Sequence, residues 1–169
     1  MSEAMQRFGW GHVNLNVGEL DRSIAFYELL GFSVFLPGIP YLGLARHEAR
    51  ALDDAHAQLL GVAPGTRGRA CIMELGDGFP KLDLTELDTT APAPPLGTGD
   101  RGLVRLCLVC QDLEAQHARL LAAGVRFLTP PRTGTDGLAE LAVCSDPDGT
   151  RIELLQLHLE RVAAMGVEL

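Results

Sequence analysis

Over residues 12–17 apolar and polar side chains alternate. Val13, Leu15 and Val17 fall on one face of a strand, and His12, Asn14 and Asn16 on the other. From Asp21 to Leu30 the period lengthens. Ile24, Tyr27 and Leu30 form the stripe of a helix, and Gly31 is its natural stop. A short strand follows over 32–36. The same succession returns downstream: HVNLNVGELDRSIAFYELLGFSVF (12–35) aligns without a gap on RLCLVCQDLEAQHARLLAAGVRFL (105–128), at an offset of 93. The acidic turns Glu19-Leu20-Asp21 and Asp112-Leu113-Glu114 fall together in this alignment, as do Gly31 and Gly124.

The remaining elements complete two copies of one unit. In the first, strands are expected over 69–75 (RACIMEL) and 81–87 (KLDLTEL), joined by a Gly76-Asp77-Gly78 turn. In the second, strands are expected over 103–110, 125–128, 138–145 and 150–157, with a helix over 112–123 and a Pro/Gly loop over 129–137. A short helix is expected over 158–164. The first copy alone carries an insert, 37–68, in which ARHEARALDDAHAQLLG reads as a helix with Leu52, Ala55 and Leu59 as its stripe and Gly61 as its stop. The pattern predicts an α+β fold of two βαβββ modules, 1–90 and 102–169, joined by a proline- and glycine-rich linker at 91–101. One helix covers one face of a four-stranded sheet. The other face needs a partner, and the sister module is the natural one, so the two would form a curved mixed sheet around a central cup.

Alternation then names the side chains of the uncovered faces: His12, Asn14 and Asn16; Lys81, Asp83 and Thr85; Arg105, Cys107 and Val109; Arg151, Glu153 and Leu155. Asn14, Asn16, Thr85 and Arg105 are candidate substrate-binding groups. The insert enters beside the cup mouth and is a candidate lid. Trp10 either caps the cup or packs near the N-terminus. His47 and His56 are expected to be solvated, and Phe26 and Tyr27 to belong to the core.

Composition narrows the partners. In 169 residues, 47% are hydrophobic and 21% charged, and the net charge is −8 without a run of Lys or Arg. This is no footprint for nucleic acid or an anionic membrane. No stretch has transmembrane length, and MSEAMQRFGW lacks the order of a secretory signal. Of the four cysteines, Cys107 and Cys110 have CxxC spacing. On a strand, positions three apart point to opposite faces, so a reduced pair and a cytoplasmic location are expected.

The segments His12–Val17, Asp21–Tyr27, Leu30-Gly31-Phe32 and Asp146-Pro147-Asp148-Gly149-Thr150-Arg151-Ile152-Glu153-Leu154, taken with the repeat, resemble the vicinal oxygen chelate superfamily. That superfamily includes glyoxalase I, extradiol dioxygenases, methylmalonyl-CoA epimerase, fosfomycin-resistance transferases and bleomycin-binding proteins. The resemblance implies a small-molecule substrate or ligand and a homodimer. It also implies a divalent ion (Fe, Mn, Ni, Co or Zn) at four positions, here His12, Asp83, Arg105 and Glu153. His12, Asp83 and Glu153 can ligate; Arg105 cannot. Either three residues hold the metal, or the metal is lost and Arg105 pairs with Glu153 or Asp83. The leading expectation is a lyase, isomerase or oxygenase acting on an oxygen-rich metabolite, with Glu153 moving a proton and Arg105 fixing an anionic oxygen. The alternatives are a binding protein that sequesters a drug or metabolite, and metal-free acid/base catalysis by Asp83, Glu153 and Arg105.

Overall fold

The structure, a computed structural model, describes residues 9–166; the stretch before Gly9, read above for a secretory signal, lies outside the described residues. The chain forms two compact units, Met1–Pro92 and Ala93–Leu169.

In the first unit, β1 (His12–Asn16), α1 (Leu20–Leu29) and β2 (Ser33–Leu36) precede the insert. The insert holds β3 (Gly38–Ile39), a 3-10 turn (Pro40–Leu42), β4 (Leu44–Ala45), β5 (Arg50–Ala51) and α2 (Asp54–Leu60). Two long strands follow, β6 (Arg67–Glu74) and β7 (Lys81–Leu87). The strand order is β1-β7-β6-β2, with β5 also on β6. The pairing of β1 with β7 is parallel and the others are antiparallel, so the sheet is mixed.

The second unit repeats the plan: β8 (Arg105–Val109), α3 (Leu113–Ala122), β9 (Arg126–Thr133), β10 (Ala139–Ser145), β11 (Arg151–Leu157) and a short α4 (Leu159–Ala164). Its strand order, β8-β11-β10-β9, corresponds position for position to the first, with β8 and β11 parallel. Each unit is thus βαβββ, and the chain is α+β.

The helices sit where the apolar strand faces need covering. In the first sheet Val13, Leu82 and Met73 are side by side across three strands, as are Leu15, Leu84 and Cys71. Against this face α1 buries Leu20, Ile24, Phe26 and Tyr27, with Tyr27 edge-on to Phe26 and Phe32. Removing such side chains from water is the main stabilising term.

Both helices lack a bond for their first amides, and both sheets supply one. The Leu20 N–H donates to Glu86 at 2.6 Å, and the Leu113 N–H donates to Gln156 at 2.7 Å. These acceptors occupy corresponding positions on the last strand of each unit. Arg69 fixes the first cap by bonding both Glu86 and Asp21.

Two expectations need correction. The helix expected over 45–61 is only α2, because Asp53 caps it by accepting from the His56 N–H at 2.9 Å. Upstream, Gly43 (φ 68°) closes a tight β3–β4 turn. Leu52 and Ala57 are buried, but Ala55 and Leu59 are exposed, so the stripe is displaced. Secondly, the loop expected over 129–137 is strand as far as Thr133. Pro130 and Pro131 lie in a bulge where the pairing shifts between Leu141 and Val143. A proline lacks an N–H and is tolerated there because β9 is an edge strand.

Candidate functional site

The parallel pairing of β1 with β7 sets His12 beside Lys81, Asn14 beside Asp83 and Asn16 beside Thr85. All six share the face away from α1. Asp83 is the centre of this row and is only 2% exposed. The Thr85 hydroxyl donates to Asp83 Oδ1 at 2.8 Å, and the Asn14 amide donates to Thr85 Oγ1 at 3.2 Å. His12 Nε2 stands 3.7 Å from Asp83 Oδ2, with its side chain 38% exposed. That is ion-pair range rather than a hydrogen bond. Burial raises the Asp83 carboxyl above its ordinary range, opposed by the Thr85 and Asn14 hydrogen bonds and by His12.

The insert explains the burial. Ile39, Leu42, Leu44, Leu52 and Ala57 form a small core with Ala70 and Ile72 of β6. Ala70 is paired with Thr85 and Ile72 with Asp83, so this core rests on the polar face directly beside them. The segment expected as a lid is a packed roof over one side of the row. Its exposed Tyr41 lies close enough to Asp83 for the carboxylate to add to the effect of burial in raising the phenol. Lys81 is buried too: Nζ is 2.6 Å from Glu74 and lies over the Phe35 and Phe79 rings at 4.7 and 4.9 Å. Alternation could place Lys81 on this face, but not Tyr41, Phe35 or Phe79, which come from turns and a bulged strand. Trp10, ahead of β1, is exposed. His47 is exposed, whereas His56 is held by Asp53 and its ring packs over Gly43.

In the second unit the pairing of β8 with β11 sets Arg105 beside Arg151, Cys107 beside Glu153 and Val109 beside Leu155. Arg105 Nε is 2.8 Å from Glu153 Oε2, with the two side chains 41% and 15% exposed. The Cys107 thiol is pushed up to about 11 by burial and by its contact with Glu153. Cys107 and Cys110 are both free, the former exposed and the latter half-buried.

The four expected metal positions thus resolve into two ion pairs, His12 with Asp83 and Arg105 with Glu153. In the second, a permanent cation occupies the carboxylate that a metal would need. Among the described residues no group of three or more His, Cys, Asp or Glu could hold a metal ion. The guanidinium held against Glu153 opposes a divalent ion at that carboxylate.

A family model described as "Glyoxalase/Bleomycin resistance protein/Dioxygenase superfamily" matches residues 9–154. Among solved structures, a glyoxalase family protein from Bacillus cereus aligns with a TM-score of 0.71 at 16% identity, covering 92% of this chain and 99% of that one. A glyoxylase/bleomycin resistance protein/dioxygenase domain from Frankia sp. gives 0.59 at 20% identity, with 94% and 99% covered. The trypanothione-dependent glyoxalase I of Leishmania major gives 0.58 at 22% identity, with 92% and 91% covered. At these identities the structures speak for the fold. No curated protein sequence matches the chain.

Proposed function

The chain belongs to the Glyoxalase/Bleomycin resistance protein/Dioxygenase superfamily, and from that premise we propose that it is a small-molecule enzyme of the lyase or isomerase kind, working by proton transfer without a metal. The observation that carries this reading is the half-exposed imidazole of His12 facing the buried carboxylate of Asp83 at 3.7 Å. A carboxylate in that place orients the ring, so His12 can take a proton from a substrate carbon or oxygen and return it. Thr85 and Asn14 hold Asp83 in place. Asn16, exposed at the end of the row, is free to bind a carbonyl or hydroxyl oxygen.

The second reading is sequestration of a ligand without turnover. The Arg105–Glu153 pair favours it, because a satisfied ion pair has no need of further chemistry. A cytoplasmic homodimer suits either reading; the unbridged cysteines support the compartment.

Solvent deuterium exchange separates the two. We expect the protein to exchange an acidic C–H in at least one member of a panel of 2-oxo acids, 2-hydroxy acids and thioesters. His12→Ala should lower that rate by about 10²-fold or more, as expected for loss of a general base. Added Fe, Mn, Ni, Co or Zn should leave it unchanged. Ligand binding with no exchange would favour sequestration, and exchange that depends on an added metal would overturn the metal-free mechanism.

A further inference from the structure

We infer that Tyr41, carried by the insert, is a further catalytic residue: its phenol donates a hydrogen bond to the substrate oxygen that gathers negative charge while His12 holds the proton. This rests on the proton-transfer reading above and adds to it the group that stabilises the intermediate. Taking a proton from a carbon beside a carbonyl leaves the electron pair on the carbonyl oxygen, as an enolate. Returning the proton to carbon restores the carbonyl, so no other reactant is consumed. The oxyanion needs a donor fixed in place before it forms, and the row on β1 and β7 offers little. The Asn14 amide is turned to Thr85, and the Thr85 hydroxyl to Asp83. Lys81 is held by Glu74. Asn16 lies four residues along β1 from His12, about 13 Å at the usual strand rise, too far for an oxygen one bond from the reacting carbon.

The insert supplies what the row lacks. Tyr41 is the middle residue of the 3-10 turn Pro40–Leu42. Leu42 and, three residues before it, Ile39 are buried in the small core on Ala70 and Ile72. Residues three apart in such a turn lie one above the other. That side is therefore committed to packing, and Tyr41 leaves at an angle to it, 56% exposed. Ile72, under the core, is the register partner of Asp83, which sets the turn one strand from the polar row. The turn is held at both ends. The Gly43 N–H donates to the Pro40 carbonyl at 3.1 Å, and the His56 ring, held by Asp53, packs over Gly43. A donor on so fixed a backbone is in place before the charge appears. Among the described residues its hydroxyl makes no hydrogen bond. Burial, and after it the charge of Asp83, raise the phenol above its ordinary range. That Asp83 is felt at the hydroxyl puts Tyr41 on the polar-row side of the turn. At neutral pH the phenol is protonated and serves as a donor, not as a second base.

Two measurements test this. In the exchange assay above, Tyr41→Phe keeps the ring and loses the hydroxyl. It should lower kcat by about 10²-fold or more, the usual effect of removing one oxyanion donor, with KM nearly unchanged. A residue that only supports the roof would lower the melting temperature instead, and the melting curve should be unaltered. The second measurement does not depend on turnover. The chain has two tyrosines, and Tyr27 is in the core, so protein isotopically labelled at tyrosine Cζ gives two NMR signals. Acetohydroxamate, whose anion imitates the charged intermediate, should displace the Tyr41 signal, identified by its loss in Tyr41→Phe, and leave that of Tyr27 in place. The displacement should persist in His12→Ala. An unchanged kcat in Tyr41→Phe, or a Tyr41 signal that acetohydroxamate leaves in place, would overturn the inference. Exchange that needs His12 but not Tyr41 removes this inference alone. A displaced Tyr41 signal in a protein that exchanges nothing removes the proton-transfer reading and leaves Tyr41 as an oxyanion-binding group.

Discussion

Asp83 combines a charge with a nearly waterless position, and the two conflict. Burial raises its carboxyl above the unfolded value, so folding favours the protonated form. That contribution is fully present below the unfolded pKa and is lost as pH rises through the folded one. At neutral pH the ionised group is a cost, and Asp83→Asn removes it while leaving an acceptor for Thr85. The variant should melt about 2–4 °C higher at pH 7, the shift that roughly 1 kcal/mol gives in a chain of this size, with the gain shrinking toward pH 4. Scanning calorimetry at both values checks this, and lower stability at pH 7 would mean that His12 and Thr85 outweigh the desolvation. His12-dependent exchange should fall in the same variant, a trade of function for stability. The sequence made His12, Asp83, Arg105 and Glu153 visible, because strand alternation and the repeat both point at them. It left open whether Arg105 meets Glu153 or Asp83, since Glu153 is 48 positions from Arg105 and only the strand pairing brings them together.

At the level of elements, the local rules worked where one stripe decided the outcome. Strand β7 and the Gly31 stop of α1 are examples; Gly31 adopts φ 95°. They failed where a distant group decided it. The Asp53 cap divides the insert, and the pairing partner β10 draws Pro130 and Pro131 into a strand. The helix caps Glu86 and Gln156 were equally hidden, because each acts on an amide 66 or 43 residues away. The insert carries its own test. A Cβ on Gly38 would lie 2.6 Å from the Leu44 carbonyl oxygen, closer than packed backbone permits. Gly38→Ala should therefore pry β3 from β4 and loosen the roof beside Asp83. Hydrogen exchange should rise across 38–60 and not in β8–β11, and unchanged protection there would show that the insert is held from elsewhere.

For the whole molecule, the expected division of the chain meets a segment, 88–104, that carries no helix or strand and is largely exposed. Arg101 lies exposed within it. Limited trypsin treatment should cut first after Arg101, releasing two fragments identifiable by mass, because extended exposed chain is the preferred protease substrate. First cleavage inside β6 or β10 would contradict this. The net charge of −8 favours solubility, but charge alone does not protect the rim of a sheet. Among the described residues the second sheet ends on β8 and β9. On β9, consecutive prolines remove two amide donors and the bulge breaks the regular spacing of the others. An intruding strand that tries to lengthen the sheet there finds no continuous row of donors to zip onto. Growth into fibrils is therefore blocked from that direction, and any added strand must come in along β8, past Arg105.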